Sequence, residues 1–389
     1  MALETTQYDK RRLEVQELVR DFSDKYLDEK SIQSWCKGQG MPSDVLKAFY
    51  ASDLGKMGLP EALGGVPADF MTQIFVIEEL HRTAGAALPF LTHILSIRLM
   101  QILGGEDHFD LVRNMIESTG ATGFSEAITE PSSGTDTFAM ETSTVTRDGK
   151  VYLNGMKMYV SNGQFEPYIM AVAKEEDSTD KDQRLTFWLF PRTLPGVSTY
   201  PIETIGQTMT PQAMIKFEDV EMRPEFVIGE RGRAHAPMTD AFAVGRILAC
   251  AASLGLAQAA MDDAVKYASS RVCFGSTISN LAQIQEKITD MEIKIRSMRS
   301  LIEQAAIQVD AGQDCRLSAA LAKRFVPKAA TEVASEALQI FGGLGYTRLT
   351  RVGRIWNDCR GYQLAQGTDE IMVRIASKRV IDEYLRKGQ

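Results

Sequence analysis

The sequence predicts a mostly helical α+β protein with an N-terminal helical domain, a middle β domain and a C-terminal four-helix bundle. Three patterns support this prediction: helical spacing of apolar residues at the start, strand-like runs in the middle, and helical spacing again toward the end. The predicted domains cover residues 1–119, 120–235 and 236–389. A chain of 389 residues is long enough for about two to three domains with a large core.

The first zone opens as a helix. Its apolar residues recur at steps of three and four, as one buried helical stripe requires. They are Val15, Leu18, Val19, Phe22 and Tyr26. Gly-rich turns at positions 54–55 and 60–65 interrupt the helical pattern, which resumes over positions 75–80. The zone is therefore predicted to be helical throughout, with short turns.

The middle zone is rich in Thr, Val, Tyr and Phe in short runs, which is typical of strands. Its clearest hairpin joins positions 143–146 to 151–153 through a turn in which Asp148 and Gly149 supply positive φ angles. Further strands are predicted at 168–173, 185–190 and 214–220. The acidic stretch from 174 to 184 is predicted to be a solvated loop.

Helical spacing returns from about position 237. One face of a long helix is marked by Met291, Ile295, Met298, Ile302 and Ala305. The last helix is predicted to dock through Ile371, Ile375, Val380 and Leu385. The order of elements is therefore helices, strands, helices.

Composition limits the possible functions. The 43 Lys and Arg against 51 Asp and Glu give a net charge of −8, which argues against a nucleic-acid partner. The five cysteines are scattered singly and predicted to be reduced, and the four histidines lack metal-ligand spacing, so no metal is expected. No apolar run approaching about 20 residues stands out, and the first 20 residues are charged, which predicts no membrane span and a cytoplasmic location.

Four segments carry the chemistry, although the sequence has neither a Rossmann nor a Walker A glycine pattern. They are AITEPSSGTD at 127–136, NGMKMYVSNG at 154–163, RVCFG at 271–275 and QIFGGLGY at 339–346. In this order they resemble the FAD-dependent acyl-CoA dehydrogenase family. Within that family, IQEK at 284–287 and GTDE at 367–370 are most similar to the crotonobetainyl-CoA reductase branch.

The resemblance implies a cofactor site for FAD between the domains. The residues it places at or near the flavin ring are Glu126, Ile128, Thr129, Tyr159, Val160 and Ser161, with Tyr159 in the place of the family's usual Trp. The residues it places on the rest of the cofactor are Arg271, Phe274, Gln339, Gly342, Gly343, Thr368 and Glu370. Because the family holds the adenosine diphosphate half of FAD across a dimer interface, the resemblance implies a homo-oligomer, namely a homotetramer. An electron-transfer flavoprotein is the implied redox partner.

The resemblance also implies a substrate site for an acyl-CoA or enoyl-CoA thioester. Arg246 is placed near the substrate, Thr135 beside the CoA tail, and the Gly367 backbone N–H on the thioester oxygen. Most relatives have a catalytic Glu just before Gly-Thr, where this chain has Gln366. Some relatives carry the base before the helix arginine instead, and that residue is Gly245 here. A Gln cannot serve as a general base near neutral pH.

Four explanations of the missing base remain open at this point. They are an engineered Glu to Gln change, catalysis by another acid such as Glu126, Glu370 or His93, a reaction without α-proton abstraction, and a protein that binds thioesters without turning them over. A flavin monooxygenase is a further alternative. His93 lies among apolar residues and is interpreted as a satisfied core histidine. The main prediction is an oxidoreductase acting on the α,β carbon–carbon bond of a CoA thioester.

Overall fold

The computed structural model describes residues 7–37, 40–119, 123–176 and 184–387. The first helical layer consists of α1 Gln7–Tyr26, α2 Glu29–Trp35, α3 Ser43–Ala51, α4 Asp53–Lys56, α5 Phe70–Ala84, α6 Phe90–Ile102 and α7 Phe109–Thr119. Val15, Val19 and Phe22 bury one stripe of α1, which packs on α5. Leu18 is 39% exposed, so its prediction as a stripe residue was wrong.

The middle of the chain forms one mixed sheet. Its strands are β1 Phe124–Ala127, β2 Ser143–Arg147, β3 Lys150–Ser161, β4 Tyr168–Glu175, β5 Leu185–Pro191, β6 Val197–Ile202, β7 Gln212–Met222 and β8 Val227–Ile228. The order is β6-β7-β3-β2-β4-β5-β8, and β1 lies parallel to β4. Asp148 and Gly149 have φ angles of 51° and 73°, which confirms the predicted hairpin turn.

The predicted acidic loop starts too early. Lys174 and Glu175 continue β4, and Glu175 is buried, where its carboxylate accepts hydrogen bonds from Thr186 and Arg231. Positions 177–183 of that prediction lie outside the described residues. A charged residue can occupy a buried strand position when its charge is paired there, which composition alone does not reveal.

The C-terminal helices are α8 His235–Ser270, α9 Ala282–Asp310, α10 Arg316–Phe341, α11 Val352–Leu364 and α12 Asp369–Lys387, with a short hairpin, β9 Val272–Cys273 and β10 Ser276–Thr277, after α8. The five residues predicted for one face of α9 are all buried. The last helix docks through Met372 and Ala376. Leu385 is 65% exposed, so its predicted docking role was wrong.

The central helix of this bundle is α8. By length and composition it could cross a membrane, which corrects the prediction that no such run exists, and 89% of its most apolar window is buried within the fold. It contacts α5, α9, α10 and α11, so its apolar residues form the core between domains. All five cysteines are free, as predicted.

Asp358 on α11 joins all three layers. Its carboxylate oxygens accept hydrogen bonds from the backbone N–H of Ala87, 2.8 Å away between α5 and α6, and of Gln207, 2.5 Å away between β6 and β7. Asp358 is 3% exposed, and burial raises the pKa of this carboxyl to about 6 although both hydrogen bonds act to lower it. One side chain therefore links segments from three parts of the chain.

His81 on α5 should make the fold sensitive to acid. Its Nδ1 lies 2.7 Å from the Ile77 carbonyl oxygen, and its Nε2 lies 3.2 Å from both the Leu88 N–H and the Tyr362 hydroxyl. These partners fit a neutral ring that donates from Nδ1 and accepts at Nε2. Burial lowers the pKa of His81 to about 4, against a weaker upward effect of the Ile77 hydrogen bond.

Because the folded pKa lies below the unfolded value of 6.5, the unfolded chain binds more protons between these two pH values. We expect the free energy of unfolding to fall by about 3 kcal/mol as the pH drops through this range. Urea unfolding at a series of pH values measures it, with His81→Gln as the comparison. A variant with the same acid dependence as the parent protein would contradict the prediction.

Candidate active site

The two predicted flavin segments lie side by side. The Met158 N–H donates to the Thr129 carbonyl oxygen at 2.7 Å, and the Lys157 ammonium donates to the Ile128 carbonyl oxygen at 3.0 Å. The first segment follows β1 and the second forms the end of β3. They therefore form one continuous surface, although 17 residues lie between the end of the first segment and the start of the second.

A buried ion pair joins these segments. Lys157 is fully buried, and its Nζ lies 2.7 Å from Oε1 of Glu130, which is 4% exposed. Burial lowers the pKa of Lys157 to about 8, against the attraction of Glu130. Glu130 also accepts from the backbone N–H groups of Glu141 and Thr142. Burial opposes its charge, but Lys157 and these N–H groups outweigh that and keep the pKa of Glu130 below its usual value.

A bulge in β3 exposes Tyr159. The register with β7 shifts between Lys157 and Val160, and Tyr159 has a φ angle of 56° and is 59% exposed. Its ring is therefore open to a planar partner. The Val160 side chain is buried in the sheet core, so that it offers only its backbone to the surface. The Ser161 hydroxyl accepts from Gln212 at 3.1 Å.

The two C-terminal segments also lie together. Tyr267 near the end of α8 stacks on Phe341 at the end of α10, with ring centroids 4.3 Å apart. The hairpin turn after α8 has Phe274 at a φ of 51°, which leaves that ring 96% exposed. Arg271, just before the hairpin, is exposed as well. An aromatic ring and a cation are thus presented outward at one end of the bundle.

Gly342 and Gly343 follow directly after α10, whose last turn contains Gln339. A Cβ atom added to either glycine would meet nothing within 4 Å, so both backbones are open to close approach. The Gly342 N–H donates to the Gln339 carbonyl oxygen, and the open glycine backbone with an exposed guanidinium at this end of the bundle suits a diphosphate. The exposed Tyr159 ring lies on the sheet, so the chain presents a surface suited to a planar ring and a surface suited to a diphosphate on different elements.

The turn between α11 and α12 carries Gln366 and Gly367, with φ angles of 57° and 102°. Arg246 on α8 donates from Nε to the Gln366 carbonyl oxygen at 3.2 Å. Lys323 on α10 donates to the Gly367 carbonyl oxygen at 3.0 Å and is fully buried. Burial lowers the pKa of Lys323 to about 8 and that of Arg246 to about 10. Two cations therefore hold the backbone of this turn.

Gly245 faces the Gln366 side chain. A Cβ atom at position 245 would lie 3.0 Å from Gln366 Oε1 and 2.8 Å from Leu95 Cδ1. The two positions at which relatives were expected to carry a catalytic carboxylate are therefore direct neighbours in space. Neither has a carboxylate in this chain.

The other predicted residues are less closely grouped. Thr135 is exposed in the loop after the first flavin segment. Thr368 and Glu370 begin α12, and Glu370 is exposed with a pKa lowered by its own backbone N–H and by the Thr368 hydroxyl. Glu126 on β1 has a buried Oε1, and burial raises its pKa to about 7 against the Ser96 hydroxyl.

Comparison with known proteins fits this geometry. Residues 9–108, 125–220 and 235–381 match the N-terminal, middle and C-terminal domain models of the acyl-CoA dehydrogenases. The probable acyl-CoA dehydrogenase YdiO of Escherichia coli is 33% identical over 89% of this chain and 90% of its own length. The chain belongs to the acyl-CoA dehydrogenase family.

Solved structures of acyl-CoA dehydrogenases have the same fold as this chain. The enzyme from Slackia heliotrinireducens is 38% identical with a TM-score of 0.87, covering 97% of this chain and 98% of that one. Butyryl-CoA dehydrogenase from Megasphaera elsdenii is 26% identical with a TM-score of 0.88, covering 98% and 100%. Acyl-CoA dehydrogenases are FAD-dependent flavoproteins and oxidoreductases. The resemblance to the crotonobetainyl-CoA reductase branch stays a prediction.

Lys323, which bonds to the turn at 366–367, escaped sequence reasoning. Lys323 was missed because a lone Lys is usually assigned to the surface, although its neighbours Ala319, Ala322 and Val326 form a buried face that signals otherwise. His93 was interpreted as a satisfied core histidine. It is buried, but within the described part of the chain neither ring nitrogen has a hydrogen-bond partner, so that interpretation was wrong.

Proposed function

We propose that this acyl-CoA dehydrogenase catalyses two-electron redox at the α,β carbon–carbon bond of an acyl-CoA or enoyl-CoA thioester. The observation that supports this most directly is the turn at 366–367, which two buried cations hold against α8 and α10. Arg246 bonds to the Gln366 carbonyl, and the same peptide unit carries the Gly367 N–H. Fixing that peptide plane would aim the N–H at a thioester oxygen and stabilise negative charge there.

FAD, when bound, supplies the electron acceptor or donor for this chemistry. We place its flavin ring against Thr129, Tyr159 and Ser161, with Glu126, Ile128 and Val160 lining the same strands. The adenosine diphosphate half would be held by Arg271, Phe274, Gln339, Gly342 and Gly343, and the ribose by Thr368 and Glu370. The support is the open glycine backbone at one end and the exposed Tyr159 ring at the other.

We infer that the active form is a homo-oligomer, namely a homotetramer. Phe274, Tyr346 and Leu349 are 96%, 86% and 78% exposed and lie near the proposed cofactor segments. Large apolar side chains exposed this fully are typical of surfaces that a partner covers. An electron-transfer flavoprotein as redox partner and a cytoplasmic location belong to the same proposal.

Ordinary dehydrogenation needs a base that removes the α-proton, and this chain has no carboxylate at either expected base position. Gln366 can orient a thioester by hydrogen bonds, but it cannot accept a proton at neutral pH. A second candidate function, a catalytically silent thioester-binding flavoprotein, follows from the same feature, because Gly245 beside it supplies no base either. An engineered Glu to Gln change would have the same consequence.

Anaerobic titration of the FAD-loaded protein with a panel of saturated and unsaturated CoA thioesters tests the proposal. We expect the oxidised flavin absorbance to fall with a saturated thioester, or the reduced flavin to be reoxidised by an enoyl-CoA. Binding of a thioester that perturbs the spectrum without either change would favour the silent binder. A protein that does not retain FAD after reconstitution would overturn both readings.

A further inference from the structure

A group of polar side chains is buried where the N-terminal helices meet the sheet. Its members, here called the interface polar cluster, are Tyr50 on α3, His93 and Ser96 on α6, Glu126 on β1, and Glu166 in the loop between β3 and β4. All except Glu126 are less than 9% exposed, and the Tyr50 and His93 rings stack with centroids 5.8 Å apart. The cluster therefore lies between domains, away from bulk water.

The cluster is not satisfied by the protein itself. Among the described residues, the Tyr50 hydroxyl, both His93 ring nitrogens and Glu126 Oε1 are buried and have no hydrogen-bond partner. His93 Nε2 lies 3.5 Å from Glu166 Oε1, beyond the usual range of a hydrogen bond. Buried polar groups are almost always paired. Four unpaired atoms at one place therefore indicate a polar partner that comes from outside the chain.

The cluster adjoins the proposed reaction site through α6. Leu95 borders the Gly245 and Gln366 pair, and the next residue, Ser96, borders Glu126. Consecutive Cα atoms are about 3.8 Å apart, so the cluster begins one residue from the site. From Glu126, β1 continues into the flavin segment that includes Thr129. One stretch of α6 thus joins the two groups, and an acyl chain held at the 366–367 turn would have to run along it to meet the cluster.

The chemistry of the cluster limits the partner. It presents two carboxyl groups, Glu126 and Glu166, together with an imidazole and a phenol. A carboxylate on the ligand would meet two carboxyl groups, and neither a lysine nor an arginine belongs to the cluster. A methyl end would leave all four polar atoms unpaired. A hydroxyl or amino group can donate a hydrogen bond to either carboxyl group or to the imidazole.

We propose that the interface polar cluster binds the far end of the acyl group, and that the substrate is a CoA thioester whose acyl chain carries a hydrogen-bond-donating group, a hydroxyl or an amine. This inference rests on the proposed function, since it assumes that a thioester occupies the site. It assigns specificity to Tyr50 and His93, which lie outside the proposed FAD site, and to Glu126, which also lines the strands of the proposed flavin surface.

The test compares matched thioesters on the FAD-loaded protein. For each chain length, four thioesters are titrated: the unsubstituted acyl-CoA, here called the alkyl member, and the acyl-CoAs with a terminal hydroxyl, amino or carboxyl group. The flavin spectrum reports the Kd of each. We expect the hydroxy or amino member of one length to bind about 10-fold or more tighter than the alkyl member, and the carboxy member to bind weakest.

Tyr50→Phe and Ser96→Ala are the test variants, because each removes one hydroxyl and keeps the shape. The Kd of the alkyl member divided by the Kd of the hydroxy member measures the preference for the hydroxyl group. Each variant should reduce this ratio by about 5- to 10-fold. Tyr26→Phe is the matched control, since Tyr26 packs on Phe22 in the same domain, and it should leave the ratio unchanged.

Two outcomes would overturn the inference. Equal affinities for alkyl and hydroxyacyl or aminoacyl thioesters would mean that the cluster holds only water. A preference for the polar thioesters that survives in Tyr50→Phe and Ser96→Ala would place the recognition elsewhere. A protein whose flavin spectrum responds to no thioester fails the proposed function instead, so the two failures are distinguishable.

Discussion

Gln366→Glu is expected to raise the rate of flavin reduction by a saturated acyl-CoA by about 10²- to 10⁴-fold, the usual contribution of a positioned general base. The new carboxylate has the same shape as the amide that now faces Gly245, so it enters the turn held by Arg246 and Lys323 without rebuilding it. Anaerobic stopped-flow absorbance of the FAD-loaded protein measures this rate.

Gln366→Met is the matched control, because it keeps the length of the side chain without providing a base, and it should not accelerate the reaction. Gly245→Glu is a less suitable rescue, since a side chain there would collide with Leu95 and Gln366. If the unchanged protein reduces its flavin as fast as Gln366→Glu does, another residue takes the proton and position 366 is not the base site. Glu126 would then be the next residue to replace.

Lys157→Met is expected to lower the free energy of unfolding by about 3–5 kcal/mol, because it leaves the Glu130 carboxylate buried without its cation. The same change removes the hydrogen bond from Lys157 to the Ile128 carbonyl. We therefore also expect weaker retention of FAD, because the two flavin segments lose the hydrogen bond and the ion pair through which Lys157 joins them. Urea unfolding and flavin content after gel filtration measure the two effects.

Lys150→Met is the control on the same strand. The Lys150–Glu221 pair is about half exposed on both sides, so its loss should leave the free energy of unfolding close to that of the parent protein. The double variant Lys157→Met with Glu130→Gln removes both charges and should recover part of the loss of Lys157→Met. Equal destabilisation by Lys157→Met and Lys150→Met would contradict the importance assigned to the buried pair.

Local patterns of the sequence were enough for much of the fold. The Asp148-Gly149 turn was predictable because its φ angles depend on two adjacent residues, and the α9 stripe was predictable because its period repeats over several turns. The extension of β3 to Ser161 was not predicted, since the bulge that continues it depends on pairing with β7. The predicted docking of Leu385 was wrong for a related reason, because docking depends on the shape of a neighbouring helix.

The site was predictable only in part. The family motifs led to the two flavin segments, and the Gln at 366 was visible in the sequence alone. The ion pair of Lys157 with Glu130 and the hydrogen bonds of Lys323 were missed, because burial of a charge depends on partners far away in the chain. The unpaired atoms of Tyr50 and His93 could not be anticipated either, since hydrogen-bond satisfaction is a property of the folded interface.

Asp358 also restricts how a ligand can enter. Rotating the N-terminal layer or the sheet away from α11 would break a hydrogen bond to a buried carboxylate from the Ala87 or the Gln207 backbone. Each such loss costs about 1–3 kcal/mol or more for a charged group. Hinged opening of the domains is therefore disfavoured, and a thioester must reach the 366–367 turn through rearrangement of nearby side chains and loops, while the domains keep their arrangement.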